Sequence, residues 1–267
     1  MRTTSSVLIL TSVILACSAR AGGDVKVFVD DFESGSTAGG WTFGPPPMYP
    51  LNGGNPGRYL RVTDLDTFAP QPRTTTTDSP FTGNFREKNV TKIGVDLQTF
   101  DVDFSAAERP CTLMLINNNG TPANGNDDWA VYFMGPDIPL VGEDWKSFTF
   151  DIPAQSKQLP AGWKTIQLGG SSPRPDWNTA IEDVDRVQFF YGDPEFFFIF
   201  QQWTLGLDNA FVQTSPSVVG DLDGDGSVSS SDLAILLGAW GGDGPADLDE
   251  DGDVGPSDLA ILLGNWS

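Results

Sequence analysis

From about residue 25 to residue 212 the chain runs in short alternating or wholly apolar stretches broken by Gly, Pro, Asn and Asp, with no sustained helical period. That pattern predicts an all-β sandwich. In residues 92–104, Ile93, Val95 and Leu97 alternate with Lys92, Gly94, Asp96 and Gln98, after which Phe100, Val102 and Phe104 take the opposite parity. Strand side chains repeat every second residue, so this slip predicts a bulge or tight bend near Gln98-Thr99. Further strands are expected at residues 113–117, 129–134, 148–152, 187–191 and 196–212, the last long enough for two. Loops such as Pro45-Pro46-Pro47, Asn52-Gly53-Gly54-Asn55-Pro56 and Asn117-Asn118-Asn119-Gly120 belong at the sandwich ends.

After residue 212 the pattern changes. Residues 213–219 are small and polar with a proline, which predicts a linker. Beyond them, residues 221–240 and 247–266 align with only five differences in twenty positions. Each copy carries carboxylates at loop positions 1, 3, 5 and 12, the spacing by which a wrapped loop surrounds a calcium ion. One expected Ca2+ site is Asp221, Asp223, Asp225 and Asp232, with the Ser227 carbonyl and Ser229. The other is Asp247, Asp249, Asp251 and Asp258, with the Asp253 carbonyl and water beside Gly255. Residues 221–267 contain no Lys or Arg, so the crowded carboxylates repel one another unless a cation neutralises them. Each loop is followed by a short apolar helix, with Leu233, Ile235, Leu236 and Leu237 in one and Leu259, Ile261, Leu262 and Leu263 in the other, ended by Gly238 or Gly264. Two such helices are expected to bury their faces against each other.

This duplicated loop-helix unit with Asp at position 12 resembles the type I dockerin, over about residues 220–267. The resemblance implies a small all-α, EF-hand-like module that binds two Ca2+ ions and docks onto a cohesin-like or other extracellular protein. It places the partner contacts at loop positions 10 and 11, here Ser230-Ser231 and Pro256-Ser257; Pro256 departs from the family's hydroxyl pair.

In residues 22–212, the opening Asp30-Asp31-Phe32-Glu33-Ser34-Gly35 with Trp41, and the closing Gly206-Leu207-Asp208-Asn209-Ala210-Phe211-Val212, resemble the jelly-roll of carbohydrate-binding modules and laminin-type extracellular domains. That resemblance implies a structural calcium shared by Glu33 and Asp208, and a polysaccharide or another extracellular polymer as ligand. Sugar faces would need aromatic partners, for which Trp41, Tyr49, Trp163, Trp177 and Trp203 are available, with Asp127, Asp128 and residues 117–119 as polar groups.

Composition narrows the function further. The chain has 267 residues, 36 acidic against 15 basic, and a formal charge of −21, which repels nucleic acid and anionic membranes. It contains no His, which excludes Ser-His-Asp, Cys-His and His-ligated metal mechanisms. A polysaccharide hydrolase working with two carboxylates remains an alternative, although Glu182-Asp183-Val184-Asp185 lacks a Glu-x-Asp-x-x-Glu spacing. A structural surface or matrix protein is another.

Arg2, the apolar run 7–16 and Ala19-Arg20-Ala21 read as a signal peptide over residues 1–21, which implies secretion. Ile14-Leu15-Ala16-Cys17 also resembles a lipobox, giving lipid anchoring at Cys17 as the lesser alternative. Cleavage would leave Cys111 as the sole cysteine, read as a buried, inert thiol. Asn89 and Asn119 lie in N-x-T sequons.

Overall fold

In the computed structural model the described residues are 25–196, 198–215, 218–223 and 227–267. The expected signal segment with Cys17, linker residues 216 and 217, and the calcium-loop residue Asp225 lie outside them.

Eleven strands form two sheets with every pairing antiparallel, a β-sandwich of jelly-roll type. One sheet holds β1 (Lys26–Asp30), β3 (Leu60–Thr67), β5 (Val90–Val102), β8 (Lys146–Asp151) and β11 (Gln201–Thr214). Its backbone is β11, which pairs with β5 along one side and with β1 and β3 in succession along the other. The second sheet is ordered β2 (Trp41–Thr42), β4 (Arg73–Thr74), β10 (Arg186–Tyr191), β6 (Pro110–Asn117), β7 (Trp129–Asp137) and β9 (Trp163–Gln167).

The slip in β5 falls at Phe100, one residue beyond the expected place: Asp101 pairs with Thr204 and Thr99 with Leu205, leaving Phe100 as the extra residue. Ile93, Val95 and Leu97 therefore face the core before the bulge and Val102 packs on it after, whereas Phe104 lies past the strand end and is exposed. Two expectations need correction. Phe196 and residues 198–200 are not strand, because Phe196 N–H closes a turn onto the Asp193 carbonyl and pairing begins only at Gln201. The sandwich also contains a six-residue helix, α1 (Trp177–Glu182), begun where Asp176 accepts the Thr179 N–H. Its single turn is too short to leave a helical period in the sequence.

The core between the sheets is ring-rich. Trp41 stacks on Phe189 at 5.4 Å and meets Phe81 edge-on, Trp163 crosses Trp177 at 5.0 Å, and Tyr191 meets Trp203 at 6.4 Å. Cys111 is fully buried, and loss of solvation raises its pKa strongly, which makes it the inert thiol the sequence suggested.

After the strands come α2 (Ser230–Gly238) and α3 (Pro256–Gly264), which share a cluster of their own. Only Leu236 and Leu262 among the helical apolar residues are fully buried; Val228, Ala246 and Val254 from the loops complete the cluster. Ile235, Leu237 and Leu263 stay exposed, since two nine-residue helices meet along one narrow stripe.

Gly94 lies under the Phe211 ring, and a Cβ there would also stand 2.6 Å from the Phe148 carbonyl oxygen. Gly94→Ala should lower the unfolding free energy by about 1–3 kcal/mol, the usual cost of overpacking, in a denaturant titration.

Candidate functional site

The outer face of the six-stranded sheet carries a cleft. Strand alternation sends Val187, Phe189 and Tyr191 of β10 into the core and leaves Arg186, Gln188 and Phe190 outward. Register then aligns one row across all six strands: Thr42 opposite Arg73, Arg73 opposite Gln188, Gln188 opposite Met114, Met114 opposite Tyr132, and Tyr132 opposite Lys164. A flanking row runs Arg186, Ile116, Ala130 and Ile166.

Met114, Ile116, Ala130, Tyr132 and Phe190 form a second buried apolar cluster on this face, so the floor is apolar although it lies outside the sandwich. Two adjoining hollows of about 370 and 210 Å³ share Asp128 and Arg186. Phe68, Gln71, Gln188, Phe190 and Pro194 wall the larger; Arg73, Thr75, Asn118 and Asp185 wall the smaller.

Polar groups along the cleft are held in place by their neighbours. Arg186 donates to Asp128 at 3.1 Å, and Tyr132 OH donates to Glu195 at 3.0 Å. Lys164 Nζ lies 3.9 Å from the same Glu195 carboxylate and over the Tyr132 ring. Burial raises the Asp185 pKa against the Asn118 N–H that its carboxylate accepts, and Asp183 and Asp128 push it further. Burial lowers the Arg73 pKa, and Arg186 adds to the shift. The cleft thus offers donors and acceptors of both signs over an apolar floor.

The aromatic residues singled out in the sequence are not here. Trp41, Trp163, Trp177 and Trp203 are core, and Tyr49 is half-buried against Phe32. An indole is the largest side chain available to fill the gap between two sheets, and the sandwich uses it there. Of the polar candidates, Asp128 reaches the cleft; Asp127 accepts from Thr121, and Asn117 donates to the Asp183 carbonyl. In the acidic run 182–185, Glu182 pairs with Arg86 and Asp183 accepts from Asn117.

Two acidic trios stand at the C-terminal loops. Asp221, Asp223 and Asp232 place carboxylate oxygens within 4.8 Å of one another, as do Asp247, Asp249 and Asp258. The position-12 carboxylates knit each loop: Asp232 accepts N–H groups from Leu222, Asp223 and Ser229, and Asp258 from Leu248, Asp249 and Gly255. Burial opposes ionisation of Asp232, but those N–H groups prevail and lower its pKa; the Gly255 N–H leads the same effect at Asp258.

The Ser229 hydroxyl caps α2 by accepting from Ser231 N–H. Asp251 donates its N–H to Asp247, and Asp253 donates to Asp251. Ser227 is exposed, and Ser230, Ser231, Pro256 and Ser257 are exposed on the first turns of the two helices.

In the sandwich, the segment Gly54–Arg58 joins Glu33 to Asp208. Glu33 accepts the Arg58 N–H at 2.9 Å, and fully buried Asp208 accepts the Asn55 and Asn209 N–H groups at 2.6 and 2.8 Å. Asp96, which the sequence did not single out, joins them by accepting from the Asn55 and Asn209 side chains. Burial, opposed by those N–H groups and reinforced by Asp96 and Glu33, pushes the Asp208 pKa up to about 6.

No protein-family model and no curated protein matches the chain. Among solved structures it is similar to the family 11 carbohydrate-binding module of a cellulosomal cellulase of Clostridium thermocellum, with 13% identity and a TM-score of 0.39 over 71% of this chain and 95% of that one. A structure of a family 11 carbohydrate-binding module from Clostridium thermocellum in complex with a beta-1,3-1,4-mixed-linked tetrasaccharide shows 15% identity and a TM-score of 0.38 over 73% of this chain and 96% of that one. A xylan-binding domain of family 22 shows 14% identity and a TM-score of 0.35 over 75% and 99%. At these TM-scores the likenesses carry no argument about function, which rests on the residues of the sites themselves.

Proposed function

We propose that the sandwich binds a polysaccharide chain in the outer cleft of the six-stranded sheet, and that the C-terminal pair of loops is a calcium-bound docking module that attaches it to an extracellular partner. The carrying observation for the first part is the row Arg73, Gln188, Met114, Tyr132 and Lys164, which sets planar and charged hydrogen-bonding groups beside an apolar floor. Sugars present that combination, apolar C–H faces edged by hydroxyls. The chain's charge of −21 repels an anionic polymer, and the cationic Arg73, Arg186 and Lys164 on the cleft face disfavour a cationic one, which leaves a neutral polymer as the ligand.

Support for the second part comes from the trios. Three carboxylates within 4.8 Å, joined in each loop by the carbonyl at position 7, form an oxygen donor set suited to a hard cation, and Ca2+ takes six to eight such ligands. When bound, calcium would supply the positive charge that these two loops lack. The exposed Ser230, Ser231, Pro256 and Ser257 then meet the partner, a cohesin-like module or another extracellular protein. A third calcium, at Glu33 and Asp208, would offset the burial, and the lesser repulsion from Asp96 and Glu33, that raise the Asp208 pKa.

Gln188→Ala should weaken binding of a neutral soluble glucan or xylan about tenfold in affinity electrophoresis, with the β-sheet circular dichroism signal retained, because it removes the amide that lines the larger hollow and donates to Gln71. Retention equal to the parent across a panel of neutral polymers would sink the cleft assignment. Metal analysis after dialysis should find three calcium ions per chain, falling to two in Asp208→Asn. The double variant Asp221→Ala/Asp247→Ala should take up only the ion of the sandwich in calorimetric titration. Chelation of the parent should lower the helical circular dichroism signal, since α2 and α3 meet along one narrow stripe whose cluster is completed by Val228, Ala246 and Val254 from the loop segments the metal would organise.

A further inference from the structure

The β10–β11 connection ends in Phe196-Phe197-Phe198-Ile199-Phe200; Phe198 packs against the outer-face cluster, while Phe196, Ile199 and Phe200 leave an apolar surface outside every core cluster. Phe196 is 66% exposed, Phe200 71%, and Phe104, from the end of β5, 73%. Phe104, Phe196 and Ile199 border a shallow groove of about 340 Å³ between the β5–β6 and β10–β11 connections, and Phe200 follows Ile199 beside it. Contiguous apolar patches of this kind mark interaction sites in soluble proteins.

The patch is built on a rigid base. Arg109 is buried, donates to the Phe68 and Tyr191 carbonyls, and lies 4.2 Å from the Phe198 ring centre and 5.0 Å from that of Trp203. Phe198 covers Gly192, whose φ of +145° and missing side chain let the ring come down onto the backbone. Phe196 meets Phe198 edge-on at 5.2 Å, and Phe200 meets Phe68 at 5.5 Å. Phe196 and Phe200 are therefore braced before any ligand arrives, which lowers the ordering cost of binding.

Three occupants could cover such a surface: an anionic bilayer, a second copy of the chain, or an uncharged polymer. The rim decides among them. Glu108 lines the groove, Asp103 precedes Phe104, and Asp193 and Glu195 precede Phe196, so a bilayer of anionic lipid or an identical acidic rim would be repelled. Continuity points to the polymer. Pro194 walls the sheet cleft while Phe196, Phe198 and Ile199 wall the groove, so one connection borders both; Phe68 stands in the cleft wall and touches Phe200.

We infer that the Phe104, Phe196, Ile199 and Phe200 surface is a second contact for the same neutral polysaccharide, taking sugar faces of a chain that runs out of the cleft past Phe190 and Pro194. This rests on the cleft reading above and adds to it a preference for long chains. Rings without hydroxyl or indole N–H groups offer only stacking, so this contact is indifferent to the pattern of hydroxyls and sensitive to the number of sugar units.

The test compares the full chain with Phe104→Ser/Phe196→Ser/Phe200→Ser, whose positions are exposed, and with Gln188→Ala, against a neutral tetrasaccharide and its parent polymer by calorimetry. The triple variant should bind the tetrasaccharide like the parent protein and the polymer at least about tenfold more weakly, while Gln188→Ala loses affinity for both. Equal polymer affinity in the triple variant would overturn the extended contact and leave the cleft standing. Absence of any glycan binding by the parent would overturn both. A parent that dimerises, or that floats with neutral phosphatidylcholine vesicles, in either case only when the three Phe are present, would reassign the patch to self-association or to lipid.

Discussion

Strand β6 is buried on both of its faces, and the architecture of the sandwich turns on how the two sides are covered. Cys111, Leu113 and Leu115 face the ring-filled space between the sheets, while Met114 and Ile116 face outward and are covered by Phe190, Tyr132 and their neighbours. A sheet edge or a flat solvated face would leave those outward side chains in water at a cost of roughly 25 cal/mol per Å². Here Phe68, Gln71, Gly125, Asp128 and Pro194 from the connections wall the hollow above them, and Phe198 packs on the same cluster. The same burial that stabilises the sheet makes the floor of the proposed binding cleft.

Charge sets what can enter. Arg73, Arg186 and Lys164 stand on the outer face of a strongly acidic chain, but Asp128 and Glu195 hold two of them in ion pairs, so the cleft presents dipoles and hydrogen-bonding groups more than net charge. An acidic rim continues around the aromatic end. Under the proposed reading both surfaces meet an uncharged, hydroxyl-rich ligand, and one connection borders both, through Pro194 at the cleft and Phe196, Phe198 and Ile199 at the groove.

In the C-terminal loops the balance is reversed, with carboxylates concentrated and no basic residue near in sequence. The position-12 Asp draws three backbone N–H groups into each loop, which orders the turn and brings the first and third carboxylates to within 4.8 Å of it. Loop and helix are thereby one unit: Val228 and Val254, adjoining the carboxylates, supply the apolar contacts that the short helices lack.

Local pattern was enough for part of this. Apolar runs and period-two alternation placed β6, β7, β8 and β10, and the β5 slip to within about one residue, although β6 and β10 are buried on both faces and carry no inward parity in their own side chains. The duplicated loops were equally legible, since all their carboxylates lie within twelve residues of one another. The cleft was not. Arg73, Gln188, Met114, Tyr132 and Lys164 come from five separate strands and share a row only through register, which is fixed by long-range pairing. Nor could sequence tell that Trp41, Trp163, Trp177 and Trp203 go inward while Phe104, Phe196 and Phe200 stay out. Hydrophobicity says how much a residue gains by burial; which residues obtain it depends on the space between the sheets, and that exists only once the chain has folded.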